Sequence, residues 1–160
     1  MKPFAIILIV LVLAGVAALG YLYLNANIDV RFKEAIATDG ITQLDYFETL
    51  KSKLSSSAFV GTRFSAEALS TADKYQFLTY TVTLDNHSFL QADVIEIRVT
   101  PMQGDVLQIG EEAEHSLPSG RQMDLSATIL TDRAMHSVRE ATVSYYCWGI
   151  PFTTKLTLGR

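Results

Sequence analysis

One stretch, Phe4 to Leu24, holds no charged side chain and no proline. A helix rises ~1.5 Å per residue, so this run spans about 30 Å, the thickness of the hydrocarbon core of a bilayer. Helices of soluble domains seldom stay apolar on every face over such a length. The run therefore predicts an N-terminal transmembrane helix within a membrane anchor of residues 1–25, followed by one domain of residues 26–160.

Two other interpretations of this segment stay open. A cleaved secretory signal has an apolar region of about 7–15 residues and a small-x-small cleavage site. Here the run is longer, and Ala17, Ala18 and Ala26 form poor sites. A pilin-like segment would carry a Gly or Ala before Phe and then a Glu, whereas this chain has Pro3-Phe4 and no such Glu. The pattern favours a retained signal anchor over cleavage or a pilin-like spine.

The charges that flank the anchor nearly balance. Lys2 precedes the run, and Arg31 and Lys33 follow it, so the positive-inside rule gives little asymmetry. Tyr21 and Tyr23 suit the interface at the second end of the helix. A short tail before a long domain stays inside while the domain is exported. We therefore expect a single-pass protein of the cell membrane whose domain lies outside the cytoplasm.

The remaining residues, about 135, are enough to bury a hydrophobic core. Only Lys2 of the 13 basic residues precedes them, so the domain has an acidic excess and no basic, aromatic-rich patch for nucleic acid. Cys147 is the single cysteine, so no intrachain disulfide can form. It alternates with Val143 and Tyr145, which predicts a buried, unreactive thiol.

The residues that follow the anchor predict one short helix among many strands. An apolar residue recurs every three or four positions near 41–54, which is typical of an amphipathic helix packed on its own domain. Further along, apolar and polar residues alternate in short runs, with turn signals every 8–15 residues. This pattern predicts a mainly β fold, an antiparallel immunoglobulin-like β-sandwich. The helix stripe is Ile41, Leu44, Phe47, Leu50 and Leu54, and the strand faces include Leu78, Tyr80, Val82 and Leu84, then Ile95, Ile97 and Val99, then Met123, Leu125, Ala127 and Ile129, then 141–148.

The run VREATVSYYC, residues 138–147, resembles strand F of an immunoglobulin variable domain. In that family the Cys closes a disulfide between the sheets beside a core Trp. Here there is no second Cys, and Trp148 follows Cys147. The resemblance implies sandwich geometry and no antigen-receptor function.

A longer stretch, residues 75–158, resembles the type-2 late-embryogenesis-abundant domain, also called the water-stress and hypersensitive-response domain. The runs YTVTLDN at 80–86, VIEIRV at 94–99, GDV at 104–106 and LPSG at 117–120 follow the order of that family's strands and turns. The family's Asn-Pro pair is missing, because His87 follows the Asn. The resemblance implies a β-sandwich that serves as a non-enzymatic, membrane-linked module.

No spacing in the chain predicts a catalytic, metal or cofactor site. His87, His115 and His136 lie singly in predicted loops and lack the i, i+4 spacing of metal ligands. The acidic segment 111–114 lacks the Asp-x-Asp pattern of a calcium loop, so we expect a solvated loop. The triplet at 86–88 matches the N-glycosylation pattern.

The best candidate for a binding surface is an aromatic hairpin near the C-terminal end of the sequence. Tyr146, Trp148, Ile150 and Phe152 would dominate an interface if exposed. The alternative is that they close one end of the core. We expect a non-enzymatic module that contacts the bilayer through its anchor and binds a membrane or envelope protein. An enzyme with a site assembled across loops and a pilin-like subunit are the alternatives.

Overall fold

The computed structural model describes residues 2–56, 58–110 and 113–159. Helix α1, Lys2–Leu24, projects from the rest of the chain, and none of its apolar span is buried. Among the described residues it is the one helix long and apolar enough to cross a membrane. A second helix, α2, covers Leu44–Ser55. The described residues also contain nine strands, of which β1 precedes α2: β1 (Asp29–Asp39), β2 (Gly61–Arg63), β3 (Tyr75–Asp85), β4 (Ala92–Val99), β5 (Asp105–Ile109), β6 (His115–Leu117), β7 (Gln122–Asp132), β8 (Arg139–Cys147) and β9 (Ile150–Leu158).

The strands form two antiparallel sheets, which confirms the predicted mainly β fold. One sheet has the order β1-β3-β7-β5-β2 and the other the order β6-β4-β8-β9. The longest ladder joins β3 to β7, from Tyr75 opposite Asp132 to Asp85 opposite Gln122. Inward side chains of both sheets meet in one hydrophobic core that also includes Ala26 and the thiol of Cys147.

A second, smaller core lies between α2 and the outer face of the five-stranded sheet. Phe47 and Leu50 are buried there, and the Phe47 ring stacks on Tyr75 with centroids 5.7 Å apart. The predicted stripe is buried only in part, because Ile41 and Leu44 remain exposed. Residues Gly40–Gln43 form a 3-10 turn, whose three residues per turn rotate Ile41 away from the α-helical stripe. The helix therefore begins at residue 44 and not at 41.

The domain has two distinct ends along its strands. Asp29 begins β1, lies opposite Asp85 and is close in the chain to Leu24, the last residue of α1. We call this the helix-proximal end. The opposite end, where β3 and β8 begin at Tyr75 and Arg139, is the distal end.

A buried ion pair links the two sheets at the distal end. Arg139 Nη2 donates to Asp105 Oδ1 at 2.7 Å, and its Nε donates to Oδ2 at 2.9 Å. Both side chains are buried, with exposed fractions of 1% and 0%. Arg139 Nη1 donates to the carbonyls of His136 and Val138, each at 2.8 Å. The pair joins β8 of one sheet to β5 of the other with its hydrogen-bonding groups satisfied.

Candidate binding surface at the helix-proximal end

The aromatic hairpin predicted from the sequence is the β8–β9 hairpin, and its tip is a two-residue turn. Cys147 pairs with Ile150, so Trp148 and Gly149 alone form the turn. The sequence predicted a strand through residue 148; instead Trp148 is in the turn and Ile150 begins β9. The register puts the only tryptophan of the chain at the outermost point of the hairpin.

Trp148 has an unfavourable backbone conformation. Its φ is 51° and that of Gly149 is 74°. Positive φ at both central residues is the mark of a type I′ turn, which favours Asn-Gly. A side chain with a Cβ in this region costs roughly 1–2 kcal/mol. Strain of this kind persists where surrounding structure or function maintains it, so it marks the tip as a candidate site.

The four predicted binding residues divide into two groups. Trp148 is 66% exposed, Ile150 42% and Tyr146 41%. Phe152 instead packs against the core. Its ring lies 5.5 Å from that of Tyr145 and 5.5 Å from that of Tyr23 at the end of α1. The hairpin thus exposes an apolar tip and uses its base to contact the helix.

A second apolar tip, which the sequence did not predict, lies in the loop between β3 and β4. Phe89 is 73% exposed at this tip. The loop beneath it is rigidly bonded, because Asn86 is fully buried and its Nδ2 donates to the carbonyls of Leu90 at 2.8 Å and Leu117 at 3.0 Å. Ser119 Oγ donates to the carbonyl of Ser88 at 2.6 Å. These bonds hold Phe89 on a fixed loop of the helix-proximal end.

The same hydrogen bonds make Asn86 of the glycosylation triplet, residues 86–88, inaccessible. The Asn86 side-chain nitrogen, which would carry the glycan, donates to two backbone carbonyls in the interior. Its Oδ1 accepts from the N–H of Ser88 at 3.0 Å and from the Ser88 hydroxyl at 2.7 Å. In the folded domain Asn86 therefore joins two loops, and its side-chain nitrogen is not accessible for attachment of a glycan.

The junction between α1 and β1 is bonded to the hairpin. Asn25 Nδ2 donates to the carbonyl of Tyr21 at 2.8 Å in the last turn of the helix. Ala26 and Ile28 are buried in the core. The N–H of Ile28 donates to the hydroxyl of Tyr145 at 3.1 Å, and the same hydroxyl donates to Asn27 Oδ1 at 3.4 Å. The chain therefore passes from helix to domain through a fixed connection.

Acidic side chains near the junction have basic residues as partners. Asp85 Oδ2 lies 3.4 Å from Arg31 Nη2 and 3.3 Å from His87 Nε2. Asp29 Oδ2 lies 3.1 Å from Arg31 Nε. Exposed pairs of this kind contribute at most about 1 kcal/mol each, so their main effect here is to offset local negative charge. Arg121 adds an exposed cation on the adjacent turn.

Two buried groups behind the hairpin stay protonated. Burial raises the pKa of the Tyr145 hydroxyl and of the Cys147 thiol. A thiol must ionise to act as a nucleophile, so a raised pKa favours an inert Cys147. This agrees with the buried thiol expected from the strand pattern, and it points to packing at this position.

The histidines are dispersed. His87 is exposed beside Asp85, His136 lies in the loop before β8, and His115 begins β6, whereas the sequence placed it in a loop. No three His, Cys, Asp or Glu side chains among residues 2–56, 58–110 and 113–159 are grouped to hold a metal ion. Glu111 and Glu112 of the acidic segment lie outside the described residues.

A cleft of about 340 Å³ opens between the sheets on the side of β2 and β6. Gln108 crosses it, since its Nε2 donates to the carbonyl of Ile97 at 2.6 Å and its Oε1 accepts from the N–H of Val99 at 2.8 Å. Within the part of the chain described, no buried side-chain nitrogen or oxygen lacks a hydrogen-bond partner. The buried Gln108 side chain of the cleft is therefore occupied in joining the two sheets.

Comparison with known proteins adds no relative. No protein-family model matches this chain, and no curated protein matches it.

Proposed function

We propose that this chain is a single-pass protein of the cell membrane that displays its β domain outside the cytoplasm and acts by binding. The observation that carries the proposal is the bonded junction between an exposed apolar helix and the folded domain. The span Pro3–Leu24 has 22 residues, which rise about 33 Å, enough for the hydrocarbon core. A helix with no apolar face buried in protein needs another apolar environment.

Binding is favoured over catalysis by what the domain exposes. Trp148, Ile150 and Tyr146 present apolar and aromatic surface at a strained turn, and such residues dominate interface energies. A membrane or envelope protein is the proposed partner of the domain. No arrangement of described side chains favours the enzyme alternative. The pilin-like alternative needs a helical spine entering the domain, whereas α1 ends at Leu24 and β1 follows.

We also propose that the sheets form an immunoglobulin-like sandwich of the late-embryogenesis type. Two antiparallel sheets that share one core support this assignment. The Asn turn and the LPSG turn of the resemblance, which are 31 residues apart at Asn86 and Leu117, are joined by a direct hydrogen bond. That contact gives the two shared motifs a common structural role.

Membrane integration and sidedness can be tested together on intact cells. Glu48 is exposed on α2 and far from the anchor, so Glu48→Cys introduces a thiol at the distal end. We expect an impermeant thiol reagent to label Glu48→Cys on intact cells and to label Lys2→Cys only after lysis. The buried Cys147 of the parent chain serves as the unlabelled control. Release by alkaline carbonate, or the reverse labelling order, would contradict the proposal.

The protein partner can be sought by cross-linking the full chain through its lysines in native membranes. We expect a discrete adduct with another membrane or envelope protein. The matched control is the chain with α1 replaced by a cleavable signal, which releases the domain from the membrane. A chain that forms no adduct and turns over a member of a hydrolase substrate panel would favour the enzyme alternative.

A further inference from the structure

The two apolar tips lie at the end of the domain from which the membrane helix emerges. Phe89 is 73% exposed and Trp148 is 66% exposed. Phe89 belongs to the loop that follows Asp85, and Asp85 pairs with Asp29 at the start of β1. Trp148 belongs to the hairpin whose Tyr145 hydroxyl bonds to Ile28. Both tips therefore belong to segments that are bonded to residues 28 and 29, a few positions after the end of α1.

The segment that connects α1 to the domain is short and ordered. Only residues 25–28 separate Leu24 from β1, and even fully extended they would reach about 14 Å. They are not fully extended, because Ala26 donates its N–H to the carbonyl of Tyr23 at 3.2 Å and is buried in the core. The domain consequently cannot move away from a membrane that α1 crosses without breaking this junction.

The depth of the hairpin follows from the contact between Tyr23 and Phe152. Tyr23 lies one residue before the end of the apolar span, so its ring is near the edge of the hydrocarbon core. Strand residues are ~3.3 Å apart, so Ile150 lies about 7 Å further along β9 than Phe152, away from the distal end. Trp148 extends beyond Ile150. The tip therefore lies farther from the distal end of the domain than the contact between Tyr23 and Phe152 does.

The chemistry of the tips fits the interfacial region of a bilayer. Tryptophan and tyrosine concentrate at the level of the lipid headgroups because they combine an apolar body with a polar group. Tyr21 and Tyr23 occupy the last turn of α1, and Trp148 and Phe89 would extend that aromatic level outward from the helix. Arg121 nearby supplies a long cationic side chain that can reach phosphate.

We propose that the helix-proximal end of the domain is a lipid-binding surface, in which Trp148 and Phe89 insert into the headgroup and upper acyl region of the bilayer that α1 crosses. This inference rests on the proposed function, because it requires α1 to cross the bilayer, and it assigns the hairpin tip to lipid in place of a protein partner. A protein on the same surface would have to lie at the same depth, inside the membrane. Two insertion sites in addition to α1 would fix the orientation of the domain on the membrane.

The single tryptophan provides the test. Trp148 is the only tryptophan in the chain, so its intrinsic fluorescence reports on the hairpin tip alone. The full chain is reconstituted into phosphatidylcholine vesicles with or without bromine on the upper acyl chain. We expect blue-shifted emission and loss of most of the Trp148 fluorescence in brominated vesicles. Emission typical of water with no quenching would overturn the proposal.

Two matched variants locate the effect. In a Trp148→Phe background, Phe89→Trp moves the probe to the second tip and should be quenched to a similar extent. In the same background, Ile41→Trp places the probe at an exposed site of the distal end and should remain unquenched. Equal quenching at positions 41 and 148 would overturn the proposal, because it would show that the domain lies on the bilayer without orientation.

The failure of this inference can be separated from failure of the proposed function. If α1 does not span the membrane, the chain is released from the vesicles by alkaline carbonate. If α1 spans but the tips do not insert, the chain resists carbonate and Trp148 stays unquenched. A photoreactive residue at 148 that yields a protein adduct in native membranes and no lipid adduct would also overturn the proposal, in favour of a protein partner.

Discussion

The hydroxyl of Tyr145 accepts a hydrogen bond from the backbone N–H of Ile28 across 3.1 Å, although the two residues are 117 positions apart in the chain. The bond joins the last segment before β1 to the hairpin that carries the candidate binding surface. It is buried, so its loss would leave the N–H of Ile28 without a partner. This contact therefore helps to fix the orientation of α1 relative to the domain.

Tyr145→Phe should loosen the junction without disturbing the ring packing. The stacked contact with Phe152 at 5.5 Å would remain, but a buried N–H would lose its acceptor. We expect the free energy of unfolding to fall by about 1–3 kcal/mol and the Ile28 amide to exchange faster in the full chain. Tyr146→Phe, at the adjacent exposed position, is the control and should change stability by less than about 0.5 kcal/mol. Equal effects of the two variants would contradict the assigned role.

Trp148→Asn should stabilise residues 26–160 in buffer. Asn tolerates positive φ, so the substitution relieves a conformation that costs Trp roughly 1 kcal/mol while removing a side chain that buries little surface. We expect a gain of about 1 kcal/mol in urea unfolding. Gly149→Ala should do the opposite by a similar amount, since its φ is 74° and a new Cβ would meet nothing within 4 Å. No gain for Trp148→Asn would mean that the turn is unstrained.

Asp105→Asn should be among the most destabilising single changes in the domain. It leaves the Arg139 guanidinium buried without its carboxylate, which costs about 3–5 kcal/mol. The control is Asp39→Asn, which breaks the exposed pair with Arg133 at 2.9 Å and should cost about 1 kcal/mol or less. Urea unfolding of residues 26–160 measures both. If the two variants were equally stable, the buried pair would not be what links the sheets.

Tyr80 should make the domain sensitive to alkali. Burial raises its pKa from 10.0 to about 12, and its hydroxyl donates to the carbonyl of Ser137 at 2.7 Å. As pH rises, the unfolded chain loses this proton first. The stabilising contribution is thus complete below pH 10 and is lost as pH rises toward 12.

Tyr80→Phe tests this assignment through the pH dependence of urea unfolding. The variant should be less stable by about 1 kcal/mol at neutral pH, because a hydrogen bond is lost. Its stability should then decline less steeply than that of the parent between pH 10 and 12. Tyr46→Phe removes an exposed hydroxyl and should keep the parent's slope. Parallel slopes for all three proteins would refute the prediction.

The sequence predicted the parts of the fold that repeat a pattern over many residues. The alternation in β3 and β7 placed Leu78, Tyr80, Leu125 and Ile129 in the core, where they are buried. The uncharged run predicted the helix α1. The short edge strands β2 and β6 were not predicted, because three residues show too little alternation to distinguish a strand from a loop.

The candidate site was predicted only in part for a different reason. The concentration of aromatic residues in one hairpin identified Tyr146 and Trp148, but the type I′ turn is signalled by Asn-Gly, and Trp-Gly gives no such signal. Phe89 is a lone aromatic in a turn, so no period marks it. The Arg139–Asp105 pair depends on contact between residues 34 positions apart, which no local pattern encodes.

The position of β1 has a mechanical consequence. The strand runs from Asp29, close to the end of α1, to the distal end at Asp39 and pairs with β3 along that length. Hydrogen bonds of an antiparallel ladder are perpendicular to the strands, so tension between α1 and the distal end loads them in shear and together. A force applied to the distal end would therefore be transmitted to α1 through the whole ladder, and the domain would move with α1 as one stiff body.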